Sequence, residues 1–225
     1  MNDVETFAHE LGHGLQHMLT EARHEDVAGI ENVEWDAVEI ASQFMEYWMY
    51  QPEVLKKMTA HMETGAPMPD EMIEKIRKSR TFFGANAMLR QILLAATDLE
   101  LYHRYDHKKT TETPNDVYLR KARELTVYPP FEDGRMLNSF NHIFAGGYAA
   151  GYYSYKWAEV MAADIFSAFE GHLDDPAAIR AIGQRLKETL YGLGGSVHPA
   201  EVFRRFMGRG YSIEALLRHS GLVDG

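Results

Sequence analysis

His9-Glu10-Leu11-Gly12-His13 sets two imidazoles four residues apart, with a carboxylate beside the first. On a helix of 3.6 residues per turn, such positions lie about 40° apart around the axis and one turn along it. Both rings can therefore reach a single ion from one face. Zinc accepts imidazole nitrogen at roughly 2.0–2.1 Å, and a catalytic site commonly uses about three protein ligands plus water. Glu10 stands where it can reach that water and act as general base. A chain with this content of His and Glu carries the pattern by chance with odds of roughly 0.04. The five residues alone therefore leave open a surface helix with two unrelated histidines.

A third ligand has to come from another element. The segment VEWDAVEIASQFMEYW offers Glu34, Asp36, Glu39 and Glu46. Glu39 stands among Val38, Ile40 and Ala41, where an uncompensated carboxylate would be costly. A divalent cation would remove that cost, and so would pairing with a Lys or Arg; both readings stand on the residues alone. His17, one turn beyond His13, sits too far along to share an ion with His9 and is expected to support or pack. His24 is expected in a loop, and His61, His103 and His107 as surface residues. Cysteine is absent, which excludes disulfides and thiolate ligands and leaves only His, Asp and Glu to hold a metal.

These side chains need helices to position them, and the pattern is helical nearly throughout. Asn2 with Glu5 resembles a capping box for a helix running toward Thr20, anchored by Leu11 and Leu15. Trp35 to Met49 predicts a second helix with Val38, Ser42, Met45 and Met49 on one side, and Pro52 opens a third. Gly65 to Pro69 is a turn. Helices follow over Asp70 to Phe82 and Asn86 to Tyr105, the latter with Leu89, Ile92, Leu93 and Ala96 as its core stripe. A polar loop, HRYDHKKTTETP, precedes a helix opened by Pro114 and broken at Tyr128-Pro-Pro-Phe131. The Gly-rich aromatic stretch AGGYAAGYYSYKW leads into a long helix ending near His172. Short helices close the chain around Gly192–Gly195 and Gly208–Gly210. The expected class is all-α.

The 225 residues allow one sizeable domain or two small ones, and 45% hydrophobic with 25% charged residues suits a globular protein. Lys and Arg number 23 against 33 Asp and Glu, a net charge of −10, which argues against nonspecific binding to nucleic acid. No apolar run reaches the roughly 20 residues of a membrane span. The opening MNDVETFAHE is polar and acidic, unlike a secretory signal. A cytoplasmic protein without nucleic-acid or membrane partners is expected.

FAHELGHGLQHMLT, VEWDAVEIASQFMEYW, FNHIFAGGYAAGYYSYKWAEV and the closing RRFMGRGYSIEALLRHSGL together resemble the thimet oligopeptidase and oligopeptidase A family of zinc metallopeptidases. The resemblance covers essentially the whole chain, residues 1–225, which would form one zincin-like, multi-helix catalytic domain. It implies one zinc per chain held by His9, His13 and Glu39, with Glu10 as catalytic base. It also implies that His142, Tyr148 and Tyr155 handle the substrate backbone and stabilise the tetrahedral intermediate. The metal and a neutral phenol can both answer the charge developing on the carbonyl oxygen, and Gly146, Gly147 and Gly151 let the loop approach a peptide. The expected activity is cleavage of internal bonds in short peptides. On the residues alone, Tyr148, Tyr152, Tyr153, Tyr155 and Trp157 could instead be core. A phosphate loop at Gly146–Gly151 is rejected, because Tyr152 stands where lysine is required.

The chain departs from the family in three ways. Family members carry a large helical region ahead of the zinc helix, forming the other wall of a deep channel that admits only short peptides. Here the motif begins at residue 9, so that region is expected to be missing and apolar surface to be exposed. Gln16 replaces a frequent histidine, and Ile40-Ala41-Ser42 stands where LPS is usual; neither removes a ligand. The alternative function is a non-catalytic remnant or subunit that binds zinc or peptide and needs a separate N-terminal half.

Overall fold

The computed structural model describes residues 1–128 and 130–223. Pro129, part of the expected Pro-Pro break, and Asp224 and Gly225 lie outside the described residues. In chain order the α-helices are α1 (Asn2–Met18), α2 (Ile40–Trp48), α3 (Pro52–Met58), α4 (Asp70–Thr81), α5 (Gly84–Leu99) and α6 (Pro114–Leu125). They continue with α7 (Asn141–Phe144), α8 (Ser154–Glu170), α9 (Pro176–Leu186), α10 (Pro199–Met207) and α11 (Glu214–His219). There is no strand among the described residues, so the all-α expectation holds. The chain divides into two compact units, residues 1–82 with 157–225, and residues 83–156.

In the first unit α1 packs most closely on α2. Its inward row is Ala8, Gly12 and Gln16. The sequence favoured Leu11 and Leu15 as anchors, but Leu11 is exposed. Small residues won the interface because the two backbones touch. A Cβ added at Gly12 would lie 2.5 Å from Ser42 Cα and 2.6 Å from Ala41 O, so only glycine fits this crossing. The expected Asn2–Glu5 capping box is not formed: α1 starts at Asn2 without a side-chain cap. Glu5 instead accepts the Tyr50 hydroxyl at 2.6 Å.

The second helix is shorter than its sequence suggested. Residues 35–39 form successive turns, with the Ala37 and Val38 N–H groups donating to Glu34 O and Ile40 N–H to Ala37 O. Helix α2 then begins with Glu39 as its N-cap residue, at φ −89° and ψ 2°. Behind it lies an aromatic core in which Tyr47 stacks on Phe166 at 5.2 Å and Trp48 meets Phe166 and Phe169 edge-on. Ala158, Ala162 and Ala163 of α8 are also buried there. Arg209 forks onto both oxygens of buried Asp164 at 2.6 Å, tying the loop after α10 to α8.

In the second unit, Leu94, Leu137, Phe140 and Ile143 form the core, with Leu101, Tyr118, Met136 and Tyr152 packed against it. Pro114 opens α6 as expected, inside a capping box made by Thr113 and Asp116. The expected stripe of α5 shifts: Ile92 is exposed, while Leu93, Leu94, Thr97 and Asp98 are buried. Burial of two polar residues hides this face from a count of apolar positions.

Candidate metal centre

Three of the sequence-predicted residues converge in the first unit. Nε2 of His9 and Nε2 of His13 each lie 3.2 Å from the same oxygen, Oε2 of Glu39. One ligand atom from each of the three falls within 4.8 Å of the others. Donors about 2.05 Å from a tetrahedral ion sit ~3.3 Å apart. The spacing and the donor set, two imidazoles and one carboxylate, therefore fit a divalent cation. Glu39 is only 3% exposed, so its charge has to be answered locally.

Two of the three candidate ligands, Glu39 and His9, have an identifiable support. Helix α1 presents His9 and His13 one turn apart, and the Gly12 crossing brings that turn against the start of α2. Ser42 donates both to Glu39 O and to Glu39 Oε2 at 2.9 Å, fixing the carboxylate from one turn along. Oε1 of Glu46 lies 2.7 Å from His9 Nδ1. That contact orients the ring so that its other nitrogen faces Glu39, an arrangement common behind metal-binding histidines. Sequence reasoning weighed Glu46 only as a third ligand. Its position, two turns along α2 from Glu39, was the signal that both could serve the same histidine. Gly12 was also missed as the point where the α1 and α2 backbones touch.

The electrostatics favour a cation. Burial works against charge on His9, yet Glu39 and Glu46 outweigh it and raise its pKa from 6.5 to about 10. Burial also raises the pKa of Glu46, with His9 opposing the rise. The field that holds a proton on His9 would also attract a metal ion, which competes with that proton.

The remaining candidates fall elsewhere. Glu10 is exposed on α1, and Glu34 is exposed while Asp36 is half-buried, neither forming part of the three-residue group. His17 packs against the backbone of Gly29, whose added Cβ would meet its ring at 2.3 Å; the packing role holds. Gln16 faces inward with Ala8 and Gly12. His24 precedes a single 3₁₀ turn, and His61, His103 and His107 are exposed.

His142, Tyr148 and Tyr155 belong to the second unit, which brings them together. Tyr148 and Tyr155 stack at 4.8 Å, and the His142 ring lies 6.1 Å and 5.9 Å from them. The backbone folds back to allow this, with Tyr148 N–H donating to His142 O. His142 is exposed and the two tyrosines are half-buried. The three rings thus line accessible surface, while Tyr152 packs on the core cluster.

The profile of peptidase family M3 matches residues 1–222. The chain is 51% identical over 222 residues to organellar oligopeptidase A, chloroplastic/mitochondrial, of Arabidopsis thaliana, covering 98% of this chain and 28% of that protein. It is 50% identical to the probable cytosolic oligopeptidase A of the same plant, over 98% of this chain and 32% of that protein. Oligopeptidase A of Escherichia coli is 41% identical, again over 98% and 32%. The chain spans about a third of the length of these relatives. A helical chain whose two histidines and buried carboxylate converge at metal-ligand spacing, matched from end to end at this level, belongs to peptidase family M3.

Proposed function

We propose that residues 1–225 are the catalytic portion of a zinc metallopeptidase that hydrolyses internal bonds of short peptides. The observation that supports this reading most directly is the convergence of His9, His13 and Glu39, which would hold the ion. When bound, zinc supplies a Lewis acid and makes water acidic enough to attack near neutral pH. Glu10 takes a proton from the attacking water and returns it to the departing amine as the peptide C–N bond breaks. By the family resemblance, His142, Tyr148 and Tyr155 handle the substrate backbone and stabilise the tetrahedral intermediate, whose charge a neutral phenol can answer.

Metal analysis coupled to cleavage of internally quenched peptides tests the proposal. One zinc per chain is expected, with activity lost to a chelator and restored by zinc. Glu10→Gln should keep the metal and lose cleavage. Product analysis by mass spectrometry distinguishes internal cleavage from removal of terminal residues. Stoichiometric zinc without any cleavage by the wild-type chain would defeat the claim for this polypeptide.

A second reading is favoured by the length relation to the relatives: a zinc- or peptide-binding portion that needs a separate N-terminal polypeptide. Under it, activity appears only when that polypeptide is added in trans. We place the reaction in the cytoplasm. No described helix is long and apolar enough to cross a membrane, and one relative is named cytosolic while another is named for organelles. Cell fractionation decides between those compartments.

A further inference from the structure

The Gly-rich stretch between α7 and α8 is irregular, yet three ties hold it within the second unit. The Tyr102 hydroxyl donates to Ile143 O just ahead of the stretch. Farther along, the Tyr152 ring meets Phe140 edge-on at 4.9 Å, and its hydroxyl lies 3.2 Å from Gln91 Oε1. The third tie is Asp98, near the end of α5. Its Oδ1 accepts Ala150 N–H and its Oδ2 accepts Tyr152 N–H, each at 2.9 Å.

Asp98 is unusual for a carboxylate. It is fully buried, and among the described residues no cation pairs with it. Burial pushes its pKa up, and the Tyr152 and Ala150 N–H groups limit the rise. A buried charge answered only by backbone N–H groups is costly unless the geometry is held closely. Ala150 adds a second mark of constraint. It is a non-glycine residue at φ +56°, a conformation that persists where its surroundings over-determine it. The bond from Asp98 to its own N–H is such a determinant. Tyr148 precedes the clamped pair by two residues and Tyr155 follows it by three, and the two rings stack at 4.8 Å.

We propose that Asp98 is a positioning residue, a buried carboxylate on α5 that clamps the backbone at Ala150 and Tyr152 and so sets where Tyr148 and Tyr155 stand to receive a peptide. This rests on the peptidase reading for its ligand. The clamp itself stands on the geometry, and its role can be measured without turnover.

The experiment uses the metal-stripped chain, a short fluorescent peptide as probe, and Asp98→Asn, which keeps the size while replacing one acceptor by a donor. Losing one such bond is worth about tenfold in an opening equilibrium. Amides 150 and 152 are therefore expected to exchange hydrogen roughly tenfold faster, with α1 and α10 unchanged. The peptide dissociation constant is expected to rise about tenfold. Asp98→Asn added to the Tyr148→Ala/Tyr155→Ala pair should weaken binding no further, because Asp98 acts through those two rings. A purely structural carboxylate would give additive losses, or faster exchange with unchanged affinity, and either result overturns the proposal. If Asp98→Asn fails to fold, Asp98→Glu, which keeps the charge but moves it by one methylene, carries the same measurements. A wild-type chain that binds no peptide overturns the reading of the tyrosines and this inference with it. Binding that is weakened by Tyr148→Ala but not by Asp98→Asn overturns this inference alone.

Discussion

Replacing Gly12 by alanine should damage the metal centre far more than the fold. The added Cβ would stand 2.5 Å from Ser42 Cα, 2.6 Å from Ala41 O and 2.9 Å from Ala41 C. Carbon atoms settle at ~3.5 Å, so α1 and the start of α2 must part by about 1 Å. All three obstacles are backbone atoms, and no side-chain rotation relieves them. Overpacking of this kind costs roughly 1–3 kcal/mol, against which alanine gains about 1 kcal/mol of helix propensity over glycine. The net loss of stability is then about 0–2 kcal/mol, or a fall in Tm of at most ~8 °C for a chain of this length.

The ligand geometry is less forgiving. His9 and His13 ride on α1 while Glu39 precedes α2, so the parting acts directly on their 3.2 Å separations. Metal distances tolerate about ±0.2 Å. Zinc affinity, measured by chelator competition, should fall by at least ~10–100-fold, the range seen when ligand support is removed. Gly14→Ala is the control on the same helix. Its added Cβ meets nothing within 4 Å, so it should raise stability by ~0.5–1 kcal/mol and leave zinc binding unchanged. Wild-type zinc affinity in Gly12→Ala would refute the idea that this contact sets the site.

Glu46→Gln should weaken zinc binding ~10-fold or more, because the His9 ring loses its charged partner; Glu34→Gln, at an exposed position, should leave it unchanged in the same competition assay. Arg209→Ala removes the cation from Asp164, which is 2% exposed and keeps the Ser212 N–H as a donor. Breaking a buried pair costs roughly 3–5 kcal/mol, and the half exposure of Arg209 itself reduces this to about 2–3 kcal/mol by urea denaturation. At Glu170, burial opposes the charge, but His219 and Arg218 outweigh it and lower the pKa below 4.5. Its stabilising contribution is therefore full above the unfolded pKa and fades as pH falls through the lower folded value. Glu170→Gln should drop Tm by no more than ~4 °C at pH 7, within the range of a partly exposed pair, and the gap should close in thermal melts as pH falls through the lowered folded pKa. A gap that widened at low pH would contradict that sign.

Much of this architecture is written in local pattern, and the misses have physical causes. Pro52, Pro114, Pro176 and Pro199 all open helices, where proline loses nothing by lacking an N–H. Residues 35–39 carry the same apolar spacing as α2 but turn instead. Periodicity reports which side chains share a face, not whether the backbone must bend to aim one of them. On α5, Thr97 and Asp98 are buried where the apolar count pointed to Ile92. Polar residues buried for their hydrogen bonds cannot be found by counting apolar ones.

The same distinction applies within the metal centre. His9 and His13 were legible because their relation is local, one turn of one helix. Glu39 was left open between cation and counter-ion, since that choice depends on what faces it across the α1–α2 contact. Two imidazole nitrogens lie 3.2 Å from a single Glu39 oxygen, a spacing that suits a shared cation. Glu46 illustrates the remaining difficulty. As one of four acids in its segment it looked like a rival ligand, yet its carboxylate meets Nδ1 of His9 and leaves Nε2 to Glu39. Which ring nitrogen an acid reaches decides whether it holds the ion or holds the ligand, and that is a matter of approach direction. The close α1–α2 contact at Gly12, where an added Cβ would lie 2.5 Å from Ser42 Cα, appears only when the two helices are seen together.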